Sequence, residues 1–62
     1  MKVGDLVIST YPSYDLYGMG IVLEVHKSEL FQDDEWVIVY WPIIKKSHGL
    51  SSKNLKKILD NL

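Results

Sequence analysis

Apolar residues recur at every second position in three short runs of this 62-residue chain, a spacing that predicts strands and not helices. In the first run, residues 3–9, Val3, Asp5, Val7 and Ser9 share one face and Leu6 and Ile8 the other. Val3 and Val7 are assigned to the core, with Gly4-Asp5 as a tight entry to the strand. Leu6 and Ile8 are expected to pack against a neighbouring loop. The second run, residues 20–27, has the clearest phase. Ile21, Leu23 and Val25 are predicted to face the core, and Val22, Glu24 and His26 to face out, because two of those three outward positions are polar. The third run, residues 36–41, is apolar on both faces, with Val37, Val39 and Trp41 on one and Trp36, Ile38 and Tyr40 on the other. Such a strand is central, or has one face committed to a partner. Val37 and Val39 are assigned to the core, and Pro42 ends the pairing.

The connections are equally telling. Residues 10–19 form a tyrosine-rich loop, with Pro12 unable to donate to a ladder and Gly18 and Gly20 able to supply positive φ. Residues 28–35 form an acidic connection that carries Glu29, Asp33, Asp34 and Glu35 and also an apolar pair, Leu30-Phe31. Residues 43–48 are predicted as a short edge strand, with Lys45 and Lys46 discouraging edge-to-edge pairing. The tail is ambiguous. Leu55, Ile58, Leu59 and Leu62 have helical spacing, and Ser51 or Ser52 could cap a helix. A small sheet, however, needs its open edge closed or covered. The preferred reading is therefore a 3₁₀ turn near Ser52-Lys53-Asn54 followed by a closing strand at residues 56–59. The predicted core is Val7, Ile21, Leu23, Val25, Val37, Val39, Leu55 and Ile58. The fold class is all-β, a small antiparallel barrel of about five short strands, in a single domain spanning residues 1–62.

Composition sharpens this picture in two ways. Cysteine is absent, so no disulfide or Cys-based zinc site can reinforce a domain of this size. The start lacks the apolar stretch of a signal peptide and reads as that of a complete small gene product, and no run approaches the roughly 18 apolar residues of a membrane-crossing helix. Net charge is −1, but it is unevenly placed. Residues 1–41 hold two lysines against seven acids, a balance of −5, and residues 42–62 hold five lysines against one acid, a balance of +4. Every formal cation is lysine. Arginine, the preferred fork for phosphates and guanine edges, does not occur.

Val3-Gly4-Asp5-Leu6-Val7, Gly20-Ile21-Val22-Leu23-Glu24-Val25, Trp36-Val37-Ile38-Val39-Tyr40-Trp41 and Asn54-Leu55-Lys56-Lys57-Ile58 together resemble the SH3-like barrels of the KOW, Tudor and chromo-barrel type. The likeness extends to the small single-domain proteins of that kind encoded by tailed bacteriophages, including those of marine cyanobacteria. The resemblance covers nearly the whole chain and implies an SH3-like barrel that serves as a binding module. Members of this broad class bind nucleic acid, ribosomes, RNA polymerase, modified peptides or other proteins. The first loop departs from a KOW-type RNA-binding loop: it is tyrosine-rich and contains Asp15 instead of being basic.

The chemistry-bearing residues favour binding over catalysis. His26 and His48 are the only histidines. Ser47 and His48 are adjacent on an expected strand, so they point to opposite faces and cannot act as nucleophile and base. The run Asp33-Asp34-Glu35 lacks the spaced ligands and turn glycine of a calcium loop. No metal site, cofactor, small-molecule substrate or membrane role is expected. Aromatics dominate interface hot spots, and Tyr14, Tyr17, Phe31 and Trp36 are the candidate partner-binding residues, rimmed by Asp15, Asp33, Asp34 and Glu35. The sequence reads as a non-catalytic protein-binding module: a phage particle component or a protein that docks on host machinery, found in the host cytoplasm or the virion. Its expected partner is a protein or a second copy of itself. The alternative is a nucleic-acid-binding barrel acting through Lys45, Lys46, Lys53, Lys56 and Lys57.

Overall fold

The computed structural model describes residues 1–27 and 35–58, with only the backbone of Tyr14 and Asp15. It is all-β. Strands β1 (Leu6–Ser9), β2 (Gly20–Lys27), β3 (Glu35–Trp41), β4 (Lys46–Ser51) and β5 (Leu55–Lys57) form one antiparallel sheet in the order β4-β3-β2-β1-β5. Two 3₁₀ segments interrupt it, Pro12–Tyr17 between β1 and β2 and Ser52–Asn54 between β4 and β5. The second starts with Ser51 Oγ accepting from the Lys53 N–H at 3.3 Å and lies against β3. The tail forms a strand paired to β1, as expected, but over Leu55–Lys57 and not over residues 56–59, and the Ile58 N–H extends that pairing by donating to the Leu6 carbonyl at 2.9 Å. The expected strand position at Leu59 lies outside the described residues.

One face of the sheet holds the core: Val7, Val22, Val37, Val39, Trp41, Leu50 and Leu55 are buried, and Met1, Tyr17, Val25 and Ile44 pack against them. Val7, Val37, Val39 and Leu55 are in the core, as expected. Four expectations need correction.

The phase of β2 is the first. Val22, expected outside, is 1% exposed, whereas Leu23, expected in the core, is 44% exposed and Ile21 is only half-buried. The cause is a bulge. Val22 pairs with Val39 and Glu24 with the next residue of β3, Ile38, so Leu23 has no opposite number. The extra residue shifts the alternation, and Gly20, Val22 and Val25 become the core-facing set.

The second is the start of β1. Residues 2–5 form a turn in which the Asp5 N–H donates to the Lys2 carbonyl at 3.1 Å and Gly4 takes φ +93. Val3 sits on that turn and is 68% exposed, not buried. Asp5 locks it. The Lys2 N–H donates to Asp5 Oδ2 at 2.8 Å, and Lys57 Nζ of β5 lies 3.5 Å away. The Lys2 backbone donor, then the Lys57 charge, hold the Asp5 carboxyl below its usual 3.8 against the opposing effect of partial burial. A lowered folded-state pKa means that the stabilisation is complete above the unfolded value and is lost as pH falls through the folded one. Asp5→Asn should therefore lower the melting temperature by a constant amount above pH about 5, with the difference from wild type shrinking progressively as pH falls from there through the lowered folded-state value and acid protonates Asp5. Thermal melts from neutral to acid pH check this; a difference that persists unchanged in strong acid would assign the loss to the turn's shape instead of its charge.

The third concerns the edge strand, which runs over Lys46–Ser51 and not over residues 43–48. Residues 42–45 are the turn of the β3–β4 hairpin, closed by Lys45 at φ +55. The shift brings Leu50 into the core opposite Val37. The fourth is Ile58, expected in the core, which is 42% exposed and does not join it.

Candidate interaction surfaces

Directly paired residues of an antiparallel sheet share a face, so the registers define the side opposite the core. β3 contributes Trp36, Ile38 and Tyr40. Beside them stand His26, Glu24 and Ile21 of β2, and Ser51, Gly49 and Ser47 of β4. Ile21 in turn pairs with Leu6 of β1, and Ile58 follows beyond it. A row of five residues, Ile58, Leu6, Ile21, Tyr40 and Ser47, thus runs from the residue after β5 across β1, β2, β3 and β4 on the non-core face. With strands about 4.8 Å apart, it spans about 19 Å. Ile8, Leu23 and Trp36 are exposed around it.

Trp36 is 52% exposed. Its indole lies over Gly49 so closely that a Cβ there would come within 2.5 Å of Nε1 and 2.6 Å of Cζ2. The ring shields an edge-strand glycine that has no side chain of its own to pack.

The other expected partner-binding residues are placed differently. Tyr17 ends the first 3₁₀ segment and is half-buried on the core side. Its ring meets Trp41 edge-on at 5.5 Å and His48 at 5.6 Å. Since His48 pairs with Val39 and Trp41 is wholly buried, Tyr17 and Trp36 lie on opposite faces of β3. The side chain of Tyr14 and all of Phe31 lie outside the described residues, as do the side chains of Asp15, Asp33 and Asp34. Glu35 is half-buried and ion-paired with the Met1 amino group at 3.3 Å. Beneath Tyr17, Trp41 Nε1 and His48 Nε2 are buried with no hydrogen-bond partner among the described residues, a cost that the packing of Trp41 must outweigh.

The five lysines do not form one patch. Lys45 and Lys46 sit at the β3–β4 turn, and Lys53, Lys56 and Lys57 follow the far end of β4, about 17 Å away at 3.3 Å per residue. Lys57 is engaged by Asp5. Ser47 is exposed beside Tyr40 while His48 faces the core beside Val39, so hydroxyl and imidazole diverge. Among the described residues, no three His, Cys, Asp or Glu side chains gather as a metal site requires. The residue that sequence reasoning missed on the exposed face is Leu23, whose outward position follows only from the bulge. Comparison with protein families, characterised proteins and solved structures finds no match for this chain.

Proposed function

We propose that this chain is a non-catalytic protein-binding module of SH3-like barrel design that docks a protein partner on the non-core face of its sheet, around Trp36, Ile38 and Tyr40. The observation that supports this reading is the two-sided apolar character of β3: its core face is filled by Val37, Val39 and Trp41, and its other face carries three large residues, of which Trp36 is more than half exposed. A contiguous exposed apolar patch on the face of a sheet opposite the core is the mark of an interaction site. Ser47, small and exposed, leaves room for an incoming side chain against Tyr40, while the space over Gly49 is filled by the Trp36 indole. The resemblance to small phage-encoded barrels makes a virion component or a protein of the infected host's cytoplasm the fitting setting.

The test is retention of partner proteins from an infected-cell extract by the immobilised chain. Trp36→Ser and Tyr40→Ser should each abolish retention while the fold survives, since loss of a half-exposed cross-strand pair costs about 1 kcal/mol or less. Binding unchanged in both variants would refute the surface. Tight retention on heparin that weakens in Lys45→Ala/Lys46→Ala or Lys53→Ala/Lys56→Ala would favour the nucleic-acid reading instead.

A further inference from the structure

We propose that Trp41 and His48 hold a buried water molecule between them, beneath the ring of Tyr17. Among the described residues, two buried side-chain polar atoms have no hydrogen-bond partner, Trp41 Nε1 and His48 Nε2. Both belong to one small cluster. Trp41 of β3 pairs with Lys46 of β4 and Val39 with His48, so Trp41 and His48 are diagonal neighbours on the core face. Diagonal side chains start about 7–8 Å apart, within reach for aromatic rings. The Tyr17 ring meets both, 5.5 Å from Trp41 and 5.6 Å from His48 between ring centroids. Trp41 is 0% exposed, so its N–H has no route to bulk solvent. Two unsatisfied polar groups in one place are costly for a domain of such small total stability. One shared partner satisfies both.

The chemistry of the two atoms selects the partner. An indole N–H only donates, and an imidazole Nε2 accepts when the ring proton is on Nδ1. A metal ion does not suit a donor-only indole, and an anion does not suit an accepting nitrogen. What fits is a neutral molecule that accepts from Trp41 and donates to His48. Among the described residues no pocket opens that would admit a small-molecule ligand. Val39 across from His48 and Leu50 two residues further on are apolar and offer no bond of their own. A water molecule meets both demands in the least space. Buried waters occur about once per 27 residues, so about two are expected in a chain of 62 residues. The site is on the core side and stands independently of the docking face around Trp36.

Proton NMR of the intact wild-type chain tests this without a variant. In a rotating-frame cross-relaxation spectrum, the Trp41 Nε1–H should give a peak at the water frequency. Its sign should be that of direct contact, opposite to that of proton exchange. A long-range nitrogen–proton spectrum at neutral pH should show the His48 ring proton on Nδ1. Tyr17→Phe keeps the ring, removes the hydroxyl and should retain the water peak. His48→Leu removes the acceptor and should lose the peak while remaining folded; if it does not fold, the wild-type spectra and Tyr17→Phe still decide. The absence of a direct water peak on the wild type would overturn the proposal, as would a ring proton on Nε2. So would a peak lost in Tyr17→Phe, which the phenol proton relays, or one undiminished in folded His48→Leu. A scalar coupling between Trp41 Nε1 and His48 Nε2 would also overturn it, because the two rings then bond each other with no water between.

Discussion

Trp41→Ala is expected to unfold the protein. Trp41 is the largest fully buried side chain, at 0% exposure, and it joins β3 to the first 3₁₀ segment through its edge-on contact with Tyr17. Truncating a buried tryptophan to alanine costs about 3–5 kcal/mol. At about 0.05–0.15 kcal/mol per residue, a chain of this length has only about 3–9 kcal/mol in total, and it has no cysteine with which to form a disulfide. Trp41→Phe separates packing from polarity. It keeps an aromatic ring in the core and removes the orphaned Nε1, so it should stay folded. The measurement is dispersion in a proton–nitrogen correlation spectrum with a circular-dichroism melt. A dispersed spectrum for Trp41→Ala, with a melt close to that of the wild type, would show that the core does not depend on this ring.

Gly20→Ala should be the most damaging addition of a single methyl group. A Cβ at Gly20 would run into Val39 and come within 2.8 Å of Trp41 Cε3 and 2.9 Å of Cζ3. Both neighbours are fully buried, so neither can swing into solvent. Overpacking of this kind costs about 1–3 kcal/mol, and for a domain this small each 1 kcal/mol moves the melting temperature by roughly 4–8 °C. A drop of about 10–20 °C follows for a cost near the upper end of that range. Since Val39 is one of the obstructing groups, Val39→Ala in the Gly20→Ala background should cost less than Val39→Ala alone, a coupling that a double-mutant cycle reads directly. Strict additivity would mean that the strand shifts instead of the side chains.

Gly20 also shows where the sequence could be read and where it could not. A glycine before an apolar run suggests a turn, and positive φ was the obvious use for it. Gly18 does take φ +67, but Gly20 lies within β2 and is needed because Trp41 presses against its backbone. Close approach depends on the partner strand and leaves no mark in local sequence. The same holds for Leu23. Glu24 and His26 face solvent in the predicted phase and in the observed one, so the polar positions cannot reveal the bulge. Only the pairing with Val37 and Val39 does so. Leu50 was missed because the hairpin turn at residues 42–45 is closed by Lys45 at positive φ, without the glycine or asparagine that usually marks such a position. Val7, Val37 and Val39 were legible because their strands keep their period without interruption, and Leu55 as an apolar residue of the tail. A strand at the tail was legible from the need to cover the free side of β1, against a helical spacing of leucines. Trp36 could be singled out from sequence, whereas the facing of Tyr17 within a 3₁₀ segment follows no strand period.

The extra residue in β2 has an evolutionary consequence. The strand is spelled in two reading frames: even positions turn inward before the bulge and odd positions after it. A one-residue deletion in an ordinary strand inverts every side chain downstream. Loss of Leu23 or Glu24 would do the reverse, joining the two frames so that Gly20, Val22 and Val25 alternate regularly with outward neighbours, at the expense of the local twist that a bulge adds. Descendants of this chain can therefore shorten β2 at that one step and keep Val25 inside and His26 outside; removal of Val22 would put Leu23 in its place, while removal of Ile21 would keep Gly20 and Val25 inward but turn Val22 out and Leu23 in.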